Sequence, residues 1–372
     1  MSRKVVVVLI LMLTIGIASA AEKIAGDITG VLTKAKSPYI VTGDLVVPAL
    51  DTLIIEPGVE IYFDSLYAFK VRGLLLARGT ANQVISFTSH LAKPGSWKGI
   101  RFRNSANDKS VLHNCRVSYA QVGIYITATS PEIAYNEISE NSQHGIQCRV
   151  SASQIALNKI IKNGWDGLCL KGFTGVVENN RILANGDDGI DLEKSTGTIL
   201  NNIIEANKDD GIVCTVSSPV IKDNLIIKNG DDGILLQASS PRIVNNVLAR
   251  HVFGLFTYQK ANPILSNVTI IENQYGVYAR DHSHPVIDSS ILWQNETAVK
   301  ADSISSVSIS YSDVAGGYEG KKNFDKNPLF VDTRYFILDK KSPCRGAGNA
   351  KPPTGEIIVK KLVGAQLEPK ER

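Results

Sequence analysis

The 372-residue sequence predicts an all-β solenoid, a single-stranded parallel β-helix wound in 22-residue coils, and three columns of residues predict it. Glycine recurs at Gly123, Gly145, Gly167, Gly189, Gly211 and Gly233, then at Gly254 and Gly276. Asparagine keeps the same step at Asn141, Asn163, Asn185, Asn207 and Asn229, yields to His251, and resumes at Asn273 and Asn295. Proline does likewise at Pro219, Pro241, Pro263 and Pro285, with Pro131 in phase upstream. Three columns in one register fix the period, and a short fixed period decides the architecture of the whole chain.

At the N-terminus, Arg3 and Lys4 precede an unbroken apolar run from Val5 to Leu13, and Ala18-Ser19-Ala20 closes the segment. This is the pattern of a secretory signal peptide with a small-residue cleavage site. The run is short for a membrane span, and Ala21 stands where a lipid-anchored protein would carry cysteine. Residues 1–20 are therefore expected to be removed, leaving an exported protein, secreted or periplasmic, with no membrane span. Of 40 Lys and Arg, removal of Arg3 and Lys4 leaves 38 against 36 Asp and Glu. So balanced a charge gives no reason to expect nucleic acid or an anionic membrane as partner. The five cysteines are odd in number and spaced for stacking, so few or no disulfides are expected.

Residues 21–348 are expected to form about a dozen coils, followed by a tail over 349–372. After each glycine the residues alternate, as in Gly189-Ile190-Asp191-Leu192, which is the period of a strand with one buried face. Two further apolar patches per unit, such as Val220-Ile221 and Leu225-Ile226-Ile227, are separated by turn residues. Coils stack at about 4.8 Å, so equal positions in successive repeats become neighbours. Ile146, Leu168, Ile190, Ile212 and Ile234 then form an interior aliphatic stack, joined by Cys148 and Cys214, while the asparagines form ladders. Cys169 falls on the outward side of the alternation and is a candidate reactive thiol.

With these coils in view, the chain resembles the secreted bacterial right-handed parallel β-helix proteins of the pectate-lyase-like superfamily. The opening "SPYIVTGDLVVPALDTLIIEPGVEIYF", then "GLLLARGTANQVISFTS" and "GSWKGIRF", is similar to the first coils of that group. The closing "YSDVAGGYEGKKNFDKNPLFVD" and "YFILDKKSPCRGAG" is similar to its terminal region. The resemblance implies the fold and not one activity, since members include polysaccharide lyases, hydrolases and epimerases. The Gly-His-Gly and Arg-x-Lys of polygalacturonases and the Asp-Pro-His of alginate epimerases are absent. The repeat also resembles the β-helix of the periplasmic copper-binding accessory proteins of nitrous oxide reductase.

The repeated "NGDDG" places Asp166, Asp188, Asp210 and Asp232 in one column, with Asp187, Asp209 and Asp231 beside it and Asp191 on the next strand. Carboxylates about 4.8 Å apart repel by roughly 1 kcal/mol in water and roughly 3–4 kcal/mol at an effective dielectric of 20. Such a patch either gathers a cation or raises its pKa values. Asp187, Asp188, Asp191, Asp209 and Asp210 are the candidate ligands, and Ca2+, a hard ion taking six to eight oxygens, is the candidate metal. A bland reading is also open, in which each Asp caps turn amides and its charge is screened. Beyond the acids, aromatics replace them: Phe253, Phe256, Tyr258, Tyr275 and Tyr278, with Tyr125, His144 and Trp165 on the N-terminal side. Of these, Trp165, Phe253, Phe256, Tyr275 and Tyr278 are the candidate sugar-stacking residues.

Two forms of catalysis fit these residues. A lyase would use calcium on Asp188, Asp191 and Asp210 to neutralise a uronate carboxylate, with Lys171 or Arg149 as the base. A hydrolase would use two aspartates as acid and base. The expected partner is a polysaccharide or cell-surface glycan, bound and in these cases cleaved or modified. A non-catalytic scaffold is the alternative, and an accessory role in metal-enzyme maturation is the third, weakened because the six histidines share no column.

Overall fold

Three parallel ladders run the length of the molecule in the computed structural model, which describes residues 21–103 and 109–348. The predicted signal peptide and the predicted tail lie outside the described residues. The first ladder follows the glycine column, from Ala68–Val71 through Ile190–Glu193 to Thr297–Ala301. The second joins thirteen strands from Gly30–Leu32 to Ser308–Ser310, one per coil. The third runs from Glu60–Phe63 to Asp313–Val314. Within the ladders every pairing is parallel, and the only helical segment among the described residues is the short turn Lys34–Lys36.

The register is that of the repeat. Ile146 pairs with Leu168, Leu168 with Ile190, Ile190 with Ile212 and Ile212 with Ile234, all fully buried. One coil is a residue shorter, pairing Asp232 with Phe253, where "NGDDG" gives way to "HVFG". The interior is aliphatic, with large rings at the N-terminal end, where Phe63 stacks on Trp97 at 4.0 Å. Cys148 and Cys214 lie in it, as expected, and all five cysteines are free thiols.

The corners explain the asparagines. Glu140, Lys162, Ala184, Ala206, Lys228, Arg250, Glu272 and Gln294 all adopt left-handed backbone with φ between 51° and 65°. Each immediately precedes a member of the Asn141 column, in which Asn185 Nδ2 donates to Asn207 Oδ1 at 2.9 Å and to Ile160 O at 3.3 Å. A second ladder, Asn136, Asn158, Asn180, Asn202, Asn224 and Asn246, follows a second left-handed column at the opposite corner. L-residues resist this conformation, so the side-chain ladders hold the chain where the local residue would not. The glycine column has a different cause: a Cβ on Gly211 would sit 2.5 Å from Ile226 Cγ2 and 2.6 Å from Gly233 O.

A C-terminal segment leaves the coil and crosses the outer face of the third ladder. Phe336, 2% exposed, packs on Ile227, Ala249 and Ile271, with Phe330 and Tyr335 beside it. Arg250 pins this strap, its guanidinium 5.5 Å from the Phe336 ring and donating to Thr333 O at 3.0 Å. The strap covers the third ladder and leaves the outward face of the first ladder open.

Candidate functional site

The outward face of the first ladder gathers the predicted residues in parallel columns. One reads Tyr125, Gln147, Cys169, Asp191, Val213, Leu235, Phe256, Tyr278 and Lys300. A second reads Arg103, Thr127, Arg149, Lys171, Glu193, Thr215, Gln237 and Tyr258. A third, beside the glycines, contains Asp232, Phe253, Tyr275 and Thr297, and continues back through Asp210, Asp188 and Asp166 to His144. The acid patch thus gives way, coil for coil, to rings.

The Asp166 column is more deeply set than a turn rim, while Asp187 and Asp209 beside it are exposed. Asp166 and Asp210 are 5% exposed and Asp232 2%. Each carboxylate accepts the backbone N–H one coil on: Asp188 N–H donates to Asp166 Oδ1 at 3.4 Å, Asp210 N–H to Asp188 Oδ1 at 3.0 Å and Asp232 N–H to Asp210 Oδ1 at 2.7 Å. The capping expected of the bland reading is therefore present, but between coils. It ends at Asp232, whose successor is Phe253 and whose buried Oδ1 has no hydrogen-bond partner. Burial, then the neighbouring carboxylates, pushes Asp232 up to about 9. Burial likewise lifts Asp188 to about 8 and Asp210 to about 7, each opposed by the amide it accepts. Asp191 rises to about 6 through burial and Asp166. Near neutral pH this strip holds both protonated and ionised carboxyls, the condition for acid–base work or for exchanging protons against a cation.

Two trios bring their oxygens within 4.8 Å of one another, Asp187, Asp188 and Asp209, and Asp209, Asp210 and Asp231. Four of the five predicted ligands are thus brought together. Asp191 is separate, its electrostatic neighbours being Asp166, Lys171 and Glu193, because it projects from the strand and not from the turn.

Several expected roles are corrected. Lys171 Nζ lies 2.6 Å from Glu193 Oε2, and that bond raises its pKa, so it is held as a cation and is no base. Arg149 is exposed one coil away in the same column. Cys169 is 4% exposed, and burial beside Asp191 pushes its thiol up to about 12, so as a free thiol it is unreactive. His144 is 9% exposed, not an outer ring.

The aromatic prediction is met in position and altered in presentation. Phe253 stacks on Tyr275 at 5.1 Å and Phe256 on Tyr278 at 5.3 Å, with Tyr258 5.4 Å from Phe256, all near parallel. The rings form one contiguous patch, closed at its far end by Lys300 Nζ, 4.9 Å from the Tyr275 centroid. Offset stacks spend ring faces on each other, so the patch offers edges and its outermost surface to a ligand. Trp165, 47% exposed, stands at the other end of the acids, edge-on to His144 at 5.1 Å. Missed from sequence were Lys300, the orphaned oxygen of Asp232, and the approach of His144 to Asp166 and Cys169. Two of these had a signal, His144 sharing the phase of the Asp column and Lys300 lying one period after Tyr278.

Residues 98–248 match the family model of the right handed beta helix region. No curated protein matches the chain in sequence. Among solved structures the chain is similar to pectate lyase Pel9A, at 14% identity and a TM-score of 0.47, over 79% of this chain and 84% of that one. The mannuronan C-5 epimerase AlgE6 A-module of Azotobacter vinelandii gives 11% and 0.48, over 81% and 92%. An alginate lyase from Paenibacillus sp. gives 13% and 0.43, over 70% and 93%. The fold rests on the chain's own ladders: residues 98–248 match that family, the coils before and after them continue the same three ladders, and the chain folds as an all-parallel β-solenoid.

Proposed function

We propose that the protein binds a uronate-type polysaccharide along the outward face of its first ladder, through calcium held by the aspartates. The observation that supports this reading is the continuity of the acid strip with the single stack of rings on the same columns. The donor set fits a hard cation. Asp209, Asp210 and Asp231 converge, and the unpartnered buried oxygen of Asp232 stands beside them. Calcium bound there supplies charge that joins protein carboxylates to sugar carboxylates. Tyr258, Phe253 and Phe256 then flank the chain of sugars on one side and Trp165 on the other. Arg149 supplies a cation for a further uronate carboxylate. Binding is favoured over cleavage because Lys171 is committed to Glu193. The setting, secreted or periplasmic, rests on the predicted signal peptide alone; among the described residues no helix is long and apolar enough to cross a membrane.

The second reading, a non-catalytic scaffold, is favoured by the capping bonds from each Asp to the next coil. One experiment separates the two. In Asp188→Asn/Asp210→Asn the amide oxygen still accepts the same N–H, while the charge is lost. Calorimetric titration is expected to show micromolar calcium binding by the parent protein and none by the variant, with oligouronate binding that requires calcium. Equal behaviour of the two proteins, at unchanged melting temperature, would leave the ladder as turn chemistry.

A further inference from the structure

We infer that His144, Asp166 and Cys169 form a second, chemically distinct metal site, for a borderline divalent cation such as Zn2+. The three belong to adjoining coils, and their ligand atoms all lie within 4.8 Å of one another. All three are buried: His144 9%, Asp166 5% and Cys169 4% exposed. His144 Nδ1 lies 3.0 Å from Asp166 Oδ2, yet this buried nitrogen makes no hydrogen bond. A ring nitrogen and a carboxylate oxygen that approach without sharing an aligned proton are arranged as two lone pairs converge on a cation. Tetrahedral zinc bonds of about 2.0–2.3 Å to nitrogen, oxygen and sulfur place ligand atoms roughly 3.3–3.8 Å apart, inside the 4.8 Å within which these three lie.

The surroundings suit a bound ion. Asp191 Oδ2 is 3.9 Å from Cys169 Sγ, and Gln147 Nε2 lies at the same distance on the other side. Both are placed to orient a sulfur ligand or to complete the coordination. The Trp165 ring stands edge-on to the imidazole, 5.1 Å away. The donors decide the metal: one thiolate and one imidazole select zinc-like ions, whereas the all-carboxylate trios further along the face select calcium. Coordination would displace the thiol proton. Three protein ligands leave a fourth position, for Asp191 or for a sugar oxygen on the same face. The inference does not depend on the calcium reading, since it uses other residues and another class of ion.

Cobalt titration of the chelator-treated, reduced chain tests it. One equivalent is expected to produce a thiolate-to-cobalt charge-transfer band that zinc abolishes and millimolar calcium does not. Cys169→Ser is expected to remove the band, and Cys169→Ser or His144→Gln to weaken zinc binding by about 100-fold or more. Asp209→Asn is expected to leave the band intact. X-ray absorption of the zinc-loaded parent protein needs no variant to fold, and is expected to show one sulfur neighbour at about 2.3 Å. Absence of the band, its persistence in Cys169→Ser, or an oxygen-only coordination shell would overturn the assignment.

Discussion

Raising the pH from 5 to 8 is expected to destabilise the cation-free protein, the reverse of a protein held together by ionised carboxylates. The ladder carboxyls are lifted in the folded state, Asp210 to about 7, Asp188 to about 8 and Asp232 to about 9, from an ordinary value of 3.8. Between those limits the folded chain keeps protons that the unfolded chain has lost. Stability contributed by the protonated form is therefore complete below the unfolded value and is lost as pH rises toward and through the folded values. One carboxyl that remains protonated throughout, as Asp232 does, changes stability by about 1.4 kcal/mol per pH unit, or about 4 kcal/mol across the interval. That is several degrees in melting temperature. Thermal melts in chelator at constant ionic strength measure it. Calcium is expected to flatten the slope by replacing protons, and Asp232→Asn to reduce it. A stability that rises over this interval would mean that the aspartates are ionised and paired, and would remove the electrostatic basis of a cation site.

The fold was legible because a coil repeats its constraints. Glycine, asparagine and proline columns each record a contact made to the next coil, so Gly211 and Asn207 announce their neighbours in sequence. The columns of the site were legible for the same reason, and Asp188, Asp210, Phe253 and Tyr275 stand where the period places them. Burial was not. Alternation sends Cys169 outward, but Gln147, Asp191 and the sunken turn of Asp166 close over it. The depth of Asp188 was not legible either, because the period gives its position and not that its oxygen turns along the axis to meet the next amide. The left-handed corners carry Ala184, Lys228 and Glu272, with no glycine to mark them. The strap over the third ladder depends on contacts such as Arg250 to Thr333, 83 residues apart, which no period encodes.

Asn202→Leu is expected to be the most damaging conservative-volume change in the molecule, although it touches neither the aspartates nor the rings. Asn202 is fully buried in the middle of the second ladder. Its Oδ1 accepts Asn180 N–H at 2.9 Å and Asn180 Nδ2 at 3.0 Å, and its Nδ2 donates to Val177 O at 2.9 Å and Asn224 Oδ1 at 3.0 Å. Leucine fills the space but orphans the Asn180 backbone N–H and one side-chain N–H of Asn180, whose other stays on Ile155 O at 2.8 Å. At roughly 1–3 kcal/mol for each buried group left unpaired, the loss is about 2–6 kcal/mol, and it also frees Asn201, left-handed at φ 54°, to relax. Each coil meets only its neighbours, so a break at the centre is expected to divide one unfolding transition into two. Lys208→Ala, exposed six residues further on, is expected to change stability by less than about 0.5 kcal/mol. Urea unfolding of the three proteins gives the comparison. The chain itself ends this ladder with an apolar residue, Val268, where Asn246 Nδ2 turns instead to Val244 O at 2.9 Å. Asn224, inside the ladder, makes the same bond to Lys222 O at 2.9 Å, so this recourse is open to the Asn180 side chain and the Asn180 backbone N–H carries most of the loss. A loss under about 1 kcal/mol would show that the left-handed corners hold themselves, and that the asparagine columns follow the coil and do not cause it.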